Sequence, residues 1–114
     1  MNKRILIVDD DINFVNKILN ICNNKKYSFS IADSIKRALM YITDDKFDLI
    51  LANVKVPGGS CVELKKSSKI NLTDTSFLFM SDLDSDYSYV NKIGEKCCHK
   101  YELESSLKNY FENA

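Results

Sequence analysis

Residues 48–59 read DLILANVKVPGG: an apolar run, a polar Asn53, then a Pro57-Gly58-Gly59 turn. A continuous apolar run of strand length belongs to a strand buried on both faces. Where such a strand stops at a polar residue just before a turn, that side chain is delivered to the edge of the sheet. The residue delivered here is an amide, which does little chemistry by itself. Its meaning depends on what else the chain sends to the same place.

The same alternation continues on both sides. RILIV (4–8) is a β-branched run followed directly by three aspartates. Ile12, Val15, Ile18, Leu19 and Cys22 then recur at helical spacing, with Asp11 placed to cap the helix. YSFSIA (27–32) reads as a second strand, and Ser34 leads a second helix bearing Ile35, Ala38, Leu39 and Ile42. FDLILA (47–52) is the third strand, closed by the Pro-Gly-Gly turn. Val62 and Leu64 mark a short third helix, SFLFM (76–80) a fourth strand, and 83–92 a polar, weaker helix. KCCH (96–99) is a short fifth strand, and Leu103, Leu107, Tyr110 and Phe111 form the last amphipathic face.

Strand–helix repeated five times predicts an α/β fold, a doubly wound five-stranded parallel sheet covered on both faces. With 114 residues and no internal repeat or linker, one domain spanning 1–114 is expected. Lys plus Arg and Asp plus Glu are both 16, which argues against a dedicated nucleic-acid binder. No apolar run is long enough to span a membrane and no signal-peptide pattern opens the chain, so a soluble cytoplasmic domain is expected. Cys22, Cys61, Cys97 and Cys98 form no C-x-x-C pair. Cys97, Cys98 and His99 are strand neighbours that point to alternate faces, so they do not converge on one metal ion. Reduced thiols, buried or half-buried, in a reducing compartment are expected. Lys65, Lys66 and Lys69 read as a solvated helix face, Tyr87 and Tyr89 as surface or partner-facing, and His99 as a strand-end residue without a catalytic role.

Open parallel sheets bind ligands at the carboxyl ends of their strands. That rule brings together Asp9 and Asp10 after the first strand, Asn53 after the third, Ser81 and Asp82 after the fourth, and Lys100 after the fifth. Paired carboxylates suit a hard cation such as Mg2+. A hydroxyl and an ammonium suit an anion with several oxygens, such as a phosphoryl group. An acidic pair after a strand can also be a solvated helix start, where negative charge favours the dipole. The arrival of Ser81 and Lys100 at matching strand ends argues for the site. No Gly-rich phosphate loop follows the first strand, so a dinucleotide site is disfavoured.

ILIVDDD, DLILANVKVPGGSCVEL, FLFMS and GEKCCHK, in that order, resemble the receiver domains of two-component response regulators over essentially the whole chain. The resemblance implies a flavodoxin-like (βα)5 fold and a signalling module rather than an enzyme. It matches Asp9, Asp10 and the backbone carbonyl of Lys55 to the metal-holding positions, Ser81 and Lys100 to the phosphoryl-contacting ones, and Asn53 to the phosphoacceptor. It implies protein partners (a sensor kinase, an output domain or another signalling protein) and self-association through the fourth helix, fifth strand and last helix. It implies no direct nucleic-acid or membrane contact. Ending just after the last helix fits both a stand-alone receiver and one followed by an output domain.

Five departures modify that expectation. An amide oxygen cannot replace a carboxylate nucleophile and form an acyl phosphate, so phosphorylation at Asn53 is not expected and Mg2+ binding is expected to be weak. Asp82 follows Ser81 where the family has a small residue. Cys97 stands where the family's switch aromatic is found, and Tyr101 where a proline follows the lysine; Gly94 to Lys100 is one residue shorter than the common spacing. Because an experimenter changes one residue and leaves the neighbours alone, the set favours a natively degenerate pseudo-receiver. The alternatives are a conventional Mg-dependent receiver carrying an engineered or variant Asn53, and a small phosphohydrolase-like enzyme on the same rim.

Overall fold

A computed structural model describes residues 3–22, 26–67, 74–103 and 105–107. The apolar runs form β1 (Lys3–Val8), β2 (Tyr27–Ala32), β3 (Leu49–Asn53), β6 (Ser76–Ser81) and β7 (Cys97–His99), with α1 (Ile12–Ile21), α2 (Ile35–Asp44), α3 (Cys61–Ser67) and α4 (Asp84–Lys92) between them. The five strands pair in parallel in the order β2-β1-β3-β6-β7. That order reverses direction between β1 and β3, which opens a crevice at their carboxyl ends.

Alternation along each strand sorts the core into two layers. Ile5, Ile7, Leu49, Leu51 and Met80 pack with Val15 and Ile18 of α1 and with Leu103 and Leu107. On the other face Leu6, Val8, Ile50, Ala52 and Phe79 pack with Ala38 and Ile42 of α2, Val62 and Leu64 of α3, and Val90 of α4. The helix starts follow local chemistry: Asp11 accepts from the Asn13 and Phe14 N–H groups, and Ser34 from that of Arg37. Ile12 and Leu39, expected on the packing faces, are 64% and 45% exposed. Each of those helices is anchored by the positions three residues further on, Val15 and Ile42, which leaves these two at the margin of the stripe.

Between β3 and α3 the chain makes a small antiparallel hairpin, β4 (Lys55–Val56) with β5 (Gly59–Ser60), that periodicity does not signal. Its turn is clamped to α2, because the Ile35 N–H donates to the Pro57 carbonyl at 3.0 Å. Gly58 has φ +98°, and a Cβ there would sit 3.3 Å from Ile35 Cβ. Gly58→Ala is therefore expected to destabilise the protein by about 1–3 kcal/mol, read as a lowered urea midpoint at unchanged slope. A midpoint equal to that of the unsubstituted chain would show that the turn can relax.

The polar α4 buries only Asp86 and Val90. Leu103 and Leu107 are buried as expected, whereas Tyr110, Phe111 and Lys69 lie outside the described residues. Lys66 is exposed, but Lys65 is half-buried, correcting the solvated-face reading: its ammonium pairs with Glu95 at 2.5 Å and lies over the Phe77 ring. The cysteines are free; Cys22, Cys61 and Cys98 are buried and Cys97 half-buried. Burial pushes the Cys61 thiol up to about 12 and those of Cys22 and Cys97 up to about 11, which keeps them protonated and unreactive near neutrality. Among the described residues no helix is long and apolar enough to cross a membrane.

Candidate functional site

The parallel register levels the strand ends. Val8 is paired with Ala52, Asn53 with Met80, and Ser81 with His99. Asp9, Asn53, Ser81 and Lys100 therefore emerge side by side at one edge of the sheet.

Asp9 directly follows β1 and is 2% exposed. Its Oδ1 accepts from the Asp11 N–H at 3.0 Å, the start of the loop that caps α1. Its Oδ2 takes no hydrogen bond of good geometry among the described residues but meets the Lys100 ammonium at 2.8 Å, an ion pair with both side chains buried. Lys100 opens the single 3-10 turn (Lys100–Glu102) that follows β7, and its Nζ also lies 4.4 Å from the centre of the Phe14 ring. Carboxylate and aromatic face thus flank one buried cation. Asp10 is exposed to solvent.

Asn53, half-buried at the last position of β3, turns its side-chain amide onto the β4 hairpin. Nδ2 donates to the Lys55 carbonyl at 2.6 Å. Ser81, 3% exposed at the end of β6, has its hydroxyl fully engaged. It donates to Asp86 Oδ2 at 3.0 Å and accepts from the Leu83 N–H at 3.0 Å. The second oxygen of Asp86 lies 3.5 Å from the Lys55 ammonium. Asp82 is exposed beside this group. Among the described residues no hydrogen bond or ion pair joins Asn53 to Asp9, Asp10 or Lys100.

The sequence-derived residues thus share one rim but form two contact groups, Asp9 with Lys100, and Asn53 with Lys55 leading on to Asp86 and Ser81. Two participants went unforeseen. Phe14 is not on the α1 face that the periodicity picks out. Asp86 is an acid in a polar helix, and only the tertiary fold buries it; its spacing of five from Ser81, across one turn and the helix start, is the only signal the chain carries.

A divalent cation fits this donor set poorly. Mg2+ needs oxygen ligands in near-octahedral array, yet the Lys55 carbonyl is already taken by an amide donor and Asp9 is neutralised by Lys100. Among the described residues no three Asp, Glu, His or Cys side chains group as a metal cluster.

One seam away, His99 is 9% exposed and sandwiched between the Tyr87 ring (4.3 Å, 17°) and the Tyr101 ring (5.0 Å, 19°). Its Nε2 lies 3.7 Å from Asp84 Oδ1, while Nδ1 has no hydrogen-bond partner among the described residues. Tyr87 is thereby half-buried, not a free surface residue, whereas Tyr89 is exposed as expected. The stack joins α4 to β7.

No protein-family model matches the chain. Over 70 residues it is 33% identical to sporulation initiation phosphotransferase F of Bacillus subtilis (strain 168), a stretch covering 61% of this chain and 56% of that protein. Little more than half of that relative's length is therefore matched. The structure superposes on a CheY-like response regulator receiver domain protein from Methanospirillum hungatei JF-1 with TM-score 0.78 and 22% identity, over 99% of this chain and 96% of the other. It also superposes on response regulator protein TrrA from Thermotoga maritima, solved in complex with Mg(2+)-BeF, with TM-score 0.74 and 20% identity, over 94% and 97% of the two chains. The five-stranded parallel sheet and its helices are those of the CheY-like, flavodoxin-like α/β fold.

Proposed function

We propose that residues 1–114 form a receiver-type signalling domain of a two-component or phosphorelay system that takes no phosphoryl group at residue 53. On this reading it is cytoplasmic, acts through protein–protein contacts and turns over no substrate. The observation that carries the proposal is the Asn53 side chain, which stands at the end of β3 as an amide donor to the Lys55 carbonyl. A phosphoacceptor there must be an anionic nucleophile, and the amide is neither anionic nor turned outward as one. Asp9, Asp10 and the Lys55 carbonyl would hold at most a weak Mg2+. Ser81 and Lys100 keep the family's phosphoryl-contacting positions without that role. The partner is a sensor kinase, an output domain or another signalling protein, met through α4, β7 and the last helix. The same face would serve self-association.

A second reading is favoured by one observation. Asp9, Ser81 and Lys100 all stand at the rim, as they would in an ordinary Mg-dependent receiver whose acceptor Asp has been replaced by Asn53. Mass spectrometry after incubation with Mg2+ and acetyl phosphate tests both. The protein as it stands should gain no phosphoryl mass, and a labile adduct would overturn the proposal. Asn53→Asp should label slowly under the first reading, because the incoming dianion meets Asp82. Brisk labelling of that variant would establish the second.

A further inference from the structure

We infer that Asp86 is a resident anion for the Ser81 hydroxyl, and that the bond between them is a latch holding α4 on the sheet. The inference concerns the chain without a phosphoryl group, the state in which it is tested, and goes beyond the proposed function.

The case begins with how little apolar surface α4 buries. Val90 is its one buried apolar residue, Tyr87 adds a half-buried ring stacked on His99, and Leu83, at the N-cap, offers no capping side chain. Most helical stability in proteins comes from packing an amphipathic face, and α4 presents a narrow one. The deficit is met by polar groups at its first turn. The Ser81 hydroxyl takes the Leu83 N–H, replacing the missing cap, and donates its own proton to the buried Asp86 carboxylate, 8% exposed. Lys55 supplies the countercharge from the β4 hairpin, and the Lys55 carbonyl is held by Asn53. A continuous run of contacts therefore leads from residue 53 through residue 55 to α4.

Such a contact tends to be all-or-none. A carboxylate that loses its partners while still buried is strongly disfavoured. Asp86 is stable either bonded to Ser81 with α4 docked, or hydrated with the first turn of α4 lifted. The bonded arrangement is the one in the structure, so docking of α4 is set from within the chain and needs no ligand.

Hydrogen exchange of the full chain, measured by residue without Mg2+ or phosphodonor, tests the latch. Ser81→Ala and Asp86→Ala should each speed exchange in α4, residues 84–92, by roughly tenfold or more. Amides of β1 and β3 should keep their rates. The double variant should exchange no more than about twofold faster than the faster single variant, because the Ser81–Asp86 bond is lost in both. Unchanged α4 rates, additive effects, or equal acceleration in β1 and β3 would each overturn the inference. If Asp86→Ala does not fold, Ser81→Ala decides alone, since it removes a single oxygen. A phosphoryl adduct in the labelling experiment would sink the proposed function and leave the latch standing; unchanged exchange would do the reverse.

Discussion

Lys100→Met is expected to lower the unfolding free energy by about 3–5 kcal/mol, a large share of what a domain of this size commands. The Lys100 side chain is 7% exposed and that of Asp9 is fully enclosed, at 2.8 Å from each other. Methionine keeps most of the apolar stem and removes the charge that lies over the Phe14 ring. It leaves the Asp9 carboxylate buried with the Asp11 N–H as its one donor. Breaking a buried pair from one side is far more harmful than replacing both members. Asp9→Asn combined with Lys100→Met should therefore recover most of the loss. Guanidinium unfolding of the two single variants and the double variant gives the coupling directly. A loss below about 1 kcal/mol for Lys100→Met would mean that water reaches Asp9 and the pair is of the weak surface kind.

Asn53→Asp is expected to raise Mg2+ affinity on the order of 10–100-fold, the range over which supporting groups around a metal site act. Two changes point the same way. The substitution adds a third carboxylate to the rim that carries Asp9 and Asp10, and it removes the amide N–H that occupies the Lys55 carbonyl at 2.6 Å. The freed carbonyl is a hard oxygen ligand of the type Mg2+ prefers. Titration calorimetry or Mg2+-dependent amide shifts at residues 9, 10, 53 and 55 would measure the gain. Equal affinity in both proteins would show that the amide is not what weakens the site. Three carboxylates at one rim also repel in the absence of metal, so the metal-free variant should be less stable than the parent.

The strands were legible because both layers of a covered parallel sheet demand apolar residues at every position, as in RILIV and LILA. The helix starts were legible because Asp11 and Ser34 are short acceptors placed just before a periodic stripe. The hairpin of Lys55–Val56 with Gly59–Ser60 was not, since two-residue strands carry no periodicity. At the rim, the chain order of strand ends brought Asp9, Asn53, Ser81 and Lys100 together. It could not say which of them touch. Whether the Asn53 amide donates or accepts depends on the backbone path of Lys55, and whether Asp86 is buried depends on where α4 lands. Those are tertiary facts, and a polar residue in a polar helix looks the same in sequence whether it faces water or a buried hydroxyl.

The Tyr87–His99–Tyr101 stack has an optical consequence. The chain has no tryptophan, so its near-ultraviolet dichroism comes chiefly from tyrosine. Near-ultraviolet dichroism is lost when fixed side-chain packing is lost, and two of the tyrosines are held in near-parallel planes against one imidazole. One partner of that imidazole rides on α4 and the other follows β7, so the seam between helix and sheet edge carries its own chromophores. Lifting α4 would dim that signal while the far-ultraviolet spectrum of the sheet stayed nearly constant. The molecule thus reports the position of α4 in unlabelled solution, with no dye and no engineered probe.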